Sequence, residues 1–328
     1  MLSYLKLIRI QNLLFIVFIQ LIMKHAVLIP ILQKYGFEAS QATGMLELLI
    51  IATVLIAAGG YALNDYFDVK IDAINRPEKQ VVGKIITRQT AILLHQILSG
   101  TGIIAGLIMA YFARSFTLGL IFIVVPGLLW FYSASYKRQF MTGNLIVAFV
   151  SAITVLIVGI TELAFLRKEF GTLIFETPIP KEIYGWIGGF AIFSFLCTWI
   201  REIIKDIEDE KGDRELECRT VPIKWGIQKT KIFLFILILV TNLLLYIVNY
   251  QFITFEGTLT LRYIIFGLSL PFAALAFQIF IAKTPKEYHQ ASNFTKIIML
   301  IGVLYAFILY YLQAKTYGFS LFNLFIVK

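Results

Sequence analysis

The sequence predicts an all-α polytopic membrane protein of nine transmembrane helices, and three observations carry that prediction. Hydrophobic residues fill 59% of the 328 positions and charged residues 15%, against roughly 45–50% and about 25% in soluble domains. Apolar stretches recur along the whole chain, each close to the ~20 residues a helix needs to cross the hydrocarbon core. No Pro-, Ser- or Gly-rich linker divides it, so residues 1–328 read as a single transmembrane domain rather than two soluble ones.

Lys6 and Arg9 precede the first apolar run as they would in a signal peptide, but no small-residue cleavage site follows, so Leu13–Ile31 is read as a retained first span. The others follow at Met45–Leu63, Ala91–Tyr111, Phe116–Tyr136, Asn144–Phe165, Ile183–Ile200, Ile232–Tyr250, Tyr263–Ala282 and Ile297–Gln313. Unbroken apolar runs of this length exclude the alternating strands of a barrel. Of the 29 Lys and Arg residues, 20 fall on the side of the N-terminus and of the loops after even-numbered spans, and 9 on the other. That asymmetry predicts a cytoplasmic N-terminus in the plasma (inner) membrane. Lys24 and His25 lie about 18 Å along the first helix from Asn12, a depth at which both are expected to snorkel to the outer interface.

The formal net charge is +9. In a chain this apolar the anionic membrane surface, rather than nucleic acid, is the expected counterpart. Cys197 in an apolar run and Cys218 in a charged loop form neither a disulfide framework nor a metal-ligand pattern. Two long, charged loops, 65–90 and 201–231, are expected to form a cytoplasmic cap where the chemistry is concentrated.

All six aspartates lie in two stretches, Asp65, Asp68, Asp72 and Asp206, Asp209, Asp213. Each reads D-x-x-D-x-x-x-D at a constant offset of 141 residues, where an even-numbered span reaches the cytoplasmic face. Spacings of three and four put each trio on one helical face. Like charges at this density repel unless cations lie between them. Oxygen ligands without organised His or Cys suit Mg²⁺, which binds through one or two carboxylates plus substrate phosphates. Asn64 adds a neutral oxygen in line with Asp68 and Asp72, which leaves Asp65 to face a basic neighbour. Arg76, Lys79, Arg201, Lys205 and Arg214 interleave with the trios, and Lys137 follows span four on the same side; such groups pair with diphosphate oxygens turned away from a metal. Tyr61, Tyr66, Tyr132 and Tyr136 lie near the same face and are candidates to line a cavity for an apolar tail.

NDYFDVKID from Asn64 to Asp72, followed by Asn75-Arg76-Pro77, resembles the first aspartate-rich motif of the UbiA superfamily of intramembrane prenyltransferases, and DIEDEKGDR from Asp206 to Arg214, running on to Arg219-Thr220-Val221-Pro222, resembles the second. Arg9, Asn12, Tyr132-Ser133, Lys137, Gly143 and Asn144 are weaker echoes. The resemblance implies nine helices around a central, lipid-open cavity, with both motifs at its cytoplasmic cap binding Mg²⁺ and a prenyl diphosphate. The second motif is similar to the branch containing digeranylgeranylglyceryl phosphate synthases, chlorophyll synthases and homogentisate prenyltransferases. Two departures stand out: Glu78 to Gly83 replace the usual Arg-Pro-Ile-x-Ser-Gly, and Glu217 stands where a glycine is common.

On this reading the metal ligands are Asn64, Asp68, Asp72, Asp206, Asp209 and Asp213. The diphosphate contacts are Arg9, Asn12, Arg76, Lys79, Lys137, Arg201, Lys205 and Arg214. Asp65 or Asp206 takes the acceptor proton, and Tyr132 and Lys137 assist at the reacting centre. Geranylgeranyl diphosphate is the favoured donor and geranylgeranylglyceryl phosphate the first choice of acceptor, giving an ether; an aromatic acceptor would give a carbon–carbon bond. Two alternatives share the metal logic, a divalent-cation channel or transporter with acidic rings and an alcohol phosphotransferase. The transporter predicts carboxylates near the bilayer midplane.

Overall fold

The computed structural model describes residues 2–37, 41–78, 80–322 and 325–326. Among these, nine helices are long and apolar enough to cross a membrane: Ile10–Lys34, Leu46–Asn75, Arg88–Phe112, Phe116–Ala134, Thr142–Glu176, Ile179–Glu208, Ile227–Phe252, Leu259–Ile281 and Pro285–Tyr317. Each expected span lies on one of them. Local chemistry sets several ends. Thr87 accepts a hydrogen bond from the Thr90 amide at the start of span three, and Thr284 with Glu287 forms a reciprocal capping box at the start of span nine.

Spans two and three pack along their lengths, as do spans five and six, and span nine lies along span six. The main buried core joins spans one to six with span nine, and a second one joins spans six to nine. Large apolar side chains such as Phe116, Phe280 and Tyr250 face outward, as lipid-exposed surfaces require. A small third cluster, Leu7, Ala62, Val81, Val82, Ile86 and Ala91, pins the loop after span two against the bundle.

Two expectations need correction. The helices of spans two and six run past the apolar segments to Asn75 and Glu208, so most of the aspartates are on helix ends rather than in loops starting at 65 and 201. Backbone hydrogen bonding continues for as long as the neighbouring elements pack, whatever the hydropathy of the side chains. Lys24 does not snorkel. It is 2% exposed, and its ammonium meets the Glu162 carboxylate of span five at 2.5 Å, while His25 is exposed. Lys24 sits in the π-helical stretch Met23–Leu28, and an intramembrane cation facing a bundle interior takes an anionic partner where one is offered.

Candidate active site

The first aspartate motif occupies the end of span two. Asn64, Asp68 and Asp72 form one i, i+4, i+8 row, with Asp65 turned about 100° around the helix. The Asn64 amide donates to Asp68 Oδ2 at 2.7 Å, so Asn64 Oδ1 remains buried with no donor among the described residues. Asp68 also meets the Lys137 ammonium. Asp65 faces Arg9 at 3.1 Å, and the Arg9 guanidinium lies 4.9 Å from the centre of the Tyr61 ring.

The second motif does not form the single stripe expected. Span six ends at Glu208, Asp209 leaves helical geometry, and a separate helix covers Glu210–Glu215. The three carboxylates fan out to different partners. Asp206 accepts from the Asn144 amide of span five at 2.9 Å, Asp209 from Arg76 at 2.8 and 2.9 Å, and Asp213 from the Thr220 hydroxyl at 3.1 Å. The residues after the first motif direct this break. Asn75 donates to the Asp209 carbonyl at 3.2 Å and accepts from the Gly212 amide at 2.8 Å. A Cβ at position 212 would stand 2.5 Å from Asn75 Oδ1, so glycine is required there. Arg76 completes the link with a 2.9 Å bond to Glu208.

The site holds more negative charge than it neutralises. Burial keeps Asp209 above the ordinary carboxylate range even beside Arg76, and burial together with Asp209 raises Asp213 to about 6. Among the described residues no three His, Cys, Asp or Glu side chains converge on one point. A hard cation held there would take one or two carboxylates from the protein and the rest of its ligands from phosphate. The unpartnered Asn64 oxygen fits the same ligand chemistry.

Other predicted residues divide into those near the motifs and those elsewhere. Lys137 reaches the first motif on the short turn Tyr136–Arg138, which packs so closely on Gly143 that a Cβ there would lie 2.6 Å from Lys137 Cα. Tyr132 is half-buried within the fields of Glu202, Asp206 and Arg9. Asn12 is half-buried, and its backbone N–H donates to the Arg9 carbonyl at 2.8 Å. Arg201 and Lys205 both pair with Glu202. Arg214 is not brought in: its side chain is 65% exposed and paired with Glu210, because the new helix beginning at Glu210 turns it to solvent. Tyr66 carries Arg88 on its ring at 4.7 Å, and Tyr136 packs on Phe131, so neither joins Tyr61 and Tyr132. Lys79 lies outside the described residues. Glu217, the departure from glycine, adopts φ 54, a left-handed conformation that disfavours any side chain.

Three residues escaped sequence reasoning. Asn75 was legible only as part of a motif, and Glu202 only as one more charge in a charged stretch. Lys296 counted as a loop cation because the apolar run starts at Ile297; the helix that carries it begins eleven residues earlier, at Pro285.

Below the cap, a narrow cleft of about 10 Å³, room for about one water, lies between spans one, five, six and nine, lined by Phe15, Ile19, Val155, Phe190, Phe193 and Met299. A surface depression around Arg114 and Phe116 lies at the opposite end of the bundle, away from every aspartate.

Interlocked carboxylate motifs above an apolar cleft define a membrane-embedded enzyme for a phosphorylated substrate with an apolar tail. The chain belongs to the UbiA prenyltransferase family, whose model matches residues 34–301. It is 34% identical over 224 residues to digeranylgeranylglyceryl phosphate synthase of Sulfurisphaera tokodaii, covering 67% of this chain and 73% of that protein. It is 33% identical over 254 residues to the synthase of the same name from Methanosphaera stadtmanae, covering 76% and 82%. Among solved structures, one of digeranylgeranylglyceryl phosphate synthase in membranes superimposes with TM-score 0.63 at 25% identity, over 94% of this chain and 96% of that one. A UbiA homologue from Archaeoglobus fulgidus, solved bound to GPP and Mg²⁺, shares the fold with TM-score 0.53 at 14% identity, over 93% and 99%.

The chain is therefore an integral membrane prenyltransferase. The transporter alternative loses its footing. Both aspartate motifs sit at helix ends, and the carboxylate deep in the bundle, Glu162, is ion-paired with Lys24.

Proposed function

We propose that this protein transfers the geranylgeranyl group of geranylgeranyl diphosphate to the free hydroxyl of geranylgeranylglyceryl phosphate, forming an ether. The relatives named digeranylgeranylglyceryl phosphate synthase support that acceptor. The observation that carries the chemistry is the interlock of the two aspartate motifs through Asn75 and Arg76.

Asn64, Asp68 and Asp72 on one side, and Asp206, Asp209 and Asp213 on the other, would hold Mg²⁺. Bound there, the metal supplies charge neutralisation for a diphosphate leaving group. Arg9, Arg76 and Lys137 already meet motif carboxylates, and with Asn12, about one turn along from Arg9, they would pair with phosphate oxygens as negative charge builds on them. The allylic C–O bond breaks with its electron pair going to diphosphate. The Tyr61 ring already carries Arg9, so Tyr132 is the ring that would stabilise the allyl cation, with apolar walls keeping water from it. The acceptor oxygen then bonds to the allylic carbon, and its proton passes to a carboxylate. Asp206 suits that role better than Asp65, whose carboxylate is engaged by Arg9. The excess of Lys and Arg on the cap side supports a cytoplasmic N-terminus and cap in the plasma membrane, with residues 1–328 acting as a single domain.

The test is prenyl transfer by purified protein with labelled geranylgeranyl diphosphate, Mg²⁺ or chelator, and a panel of geranylgeranylglyceryl phosphate and phenolic acids. The expected result is a Mg²⁺-dependent ether product that falls at least about 10²-fold in Asp68→Ala and in Asp209→Ala. Turnover of a phenolic acid alone would replace the acceptor. Mg²⁺ flux in proteoliposomes without turnover would overturn the reading.

A further inference from the structure

The end of span six presents two rows of opposite charge. Glu202 and Asp206 form one i, i+4 row, and Arg201 and Lys205 form another about 100° around the helix. The acidic row faces the catalytic cap, where Asp206 bonds to Asn144 of span five. The basic row shares its field with Lys296 of span nine, the helix that packs along span six.

This basic group is short of anions. Arg201 and Lys205 share a single carboxylate, Glu202, at 2.9 Å each. The buried Nε of Arg201 has no hydrogen-bond acceptor among the described residues. Lys296, half-buried, makes no ion pair or hydrogen bond among them, and the other cation in its field is Arg9. The three cations have one direct carboxylate partner, with Asp206 and Asp209 also in the field of Lys205, and they keep unused donors on Arg201 and Lys296.

The position adds a second constraint. Lys296 stands one turn above Met299, and Arg201 two turns above Ser194, and both of those residues line the apolar cleft. The cleft therefore has a cationic rim on the span-six and span-nine side, which Lys205 joins to the second aspartate motif at Asp206. A ligand that satisfies both parts joins a compact anion to an apolar group.

We propose that Arg201, Lys205 and Lys296 form a second anion site that binds the phosphate monoester of the acceptor lipid and so selects a phosphorylated acceptor. The proposal rests on the function put forward above and reassigns Arg201 and Lys205 from the diphosphate to the acceptor. Planar Arg201 and the two flexible ammonium groups match the oxygens of a phosphate monoester. With its phosphate held there and its tail in the cleft, the acceptor's hydroxyl end lies beside Asp206, one residue along the helix from Lys205.

The experiment measures binding and turnover separately. Binding of geranylgeranylglyceryl phosphate, of geranylgeranylglycerol and of inorganic phosphate is measured by calorimetry in detergent with chelator present, for the parent protein, Lys296→Met, Lys296→Arg and Arg201→Met. Expected is chelator-resistant binding of the phosphorylated lipid, weakened about tenfold or more in both Met variants and largely restored in Lys296→Arg. Geranylgeranylglycerol should bind all four proteins alike, and inorganic phosphate should bind only weakly, because it leaves the cleft unfilled. Equal binding of the phosphorylated lipid by parent and Lys296→Met would overturn the proposal. So would a KM for geranylgeranyl diphosphate that rises as much as that for the acceptor, since the cluster would then serve the donor. Binding with the expected variant pattern but no turnover would keep the anion site and reject the ether-forming reaction.

Discussion

At the residue scale, the site combines carboxylates that resist ionisation with donors that already hold them. Asp213, raised to about 6 by burial and by Asp209, takes up a proton as pH falls through that value, and a protonated carboxyl no longer attracts a cation. The Mg²⁺ concentration for half-maximal transfer should therefore rise as pH drops from 7.5 to 5.5, and Asp213→Asn should flatten that dependence at the cost of weaker metal binding; metal titrations at fixed pH check both. Glu217 marks a different economy of the chain. Its φ of 54 costs an L-residue about 1–2 kcal/mol, whereas glycine there loses only about 0.5–1 kcal/mol of chain entropy. Glu217→Gly should thus stabilise the protein by about 0.5–1 kcal/mol, read as a higher midpoint of thermal unfolding in detergent. A lower midpoint would show that its backbone is not strained.

At the scale of elements, the helix ends do the positioning. Span two carries its motif on an unbroken helix to Asn75, and span six is interrupted at Asp209 because Asn75 and Arg76 take its backbone and side chain. The identical spacing of the two motifs was legible in the sequence. The break was not, since it depends on a residue 134 positions away. Deeper in the membrane, Lys24 ties span one to Glu162 of span five. Replacing one partner leaves the other charge buried and should destabilise by about 3–5 kcal/mol. Replacing both by Met should recover most of that loss, a pattern measurable as a double-mutant cycle of thermal midpoints. Independent additive losses would show that the pair does not act as a unit.

At the scale of the whole molecule, an odd number of spans puts the two ends on opposite sides of the membrane. Lys6→Cys should react with an impermeant maleimide only from the cytoplasmic face, and Thr316→Cys only from the other, while the natural Cys197 and Cys218, both buried, stay silent; labelling of both positions from one side would contradict the topology. Hydropathy located the spans unaided, because apolar length is a local property that the bilayer reads directly. The sequence also singled out the candidate metal ligands, because six aspartates confined to two equally spaced motifs leave few other places for a divalent cation. Only the tertiary structure decided which charges meet: that Lys24 pairs inside the bundle, that Arg214 turns away, and that span nine brings Lys296 into the field of Arg201 and Lys205. Pairing energies fall steeply with distance and desolvation, and both quantities come into existence only when helices far apart in sequence pack side by side.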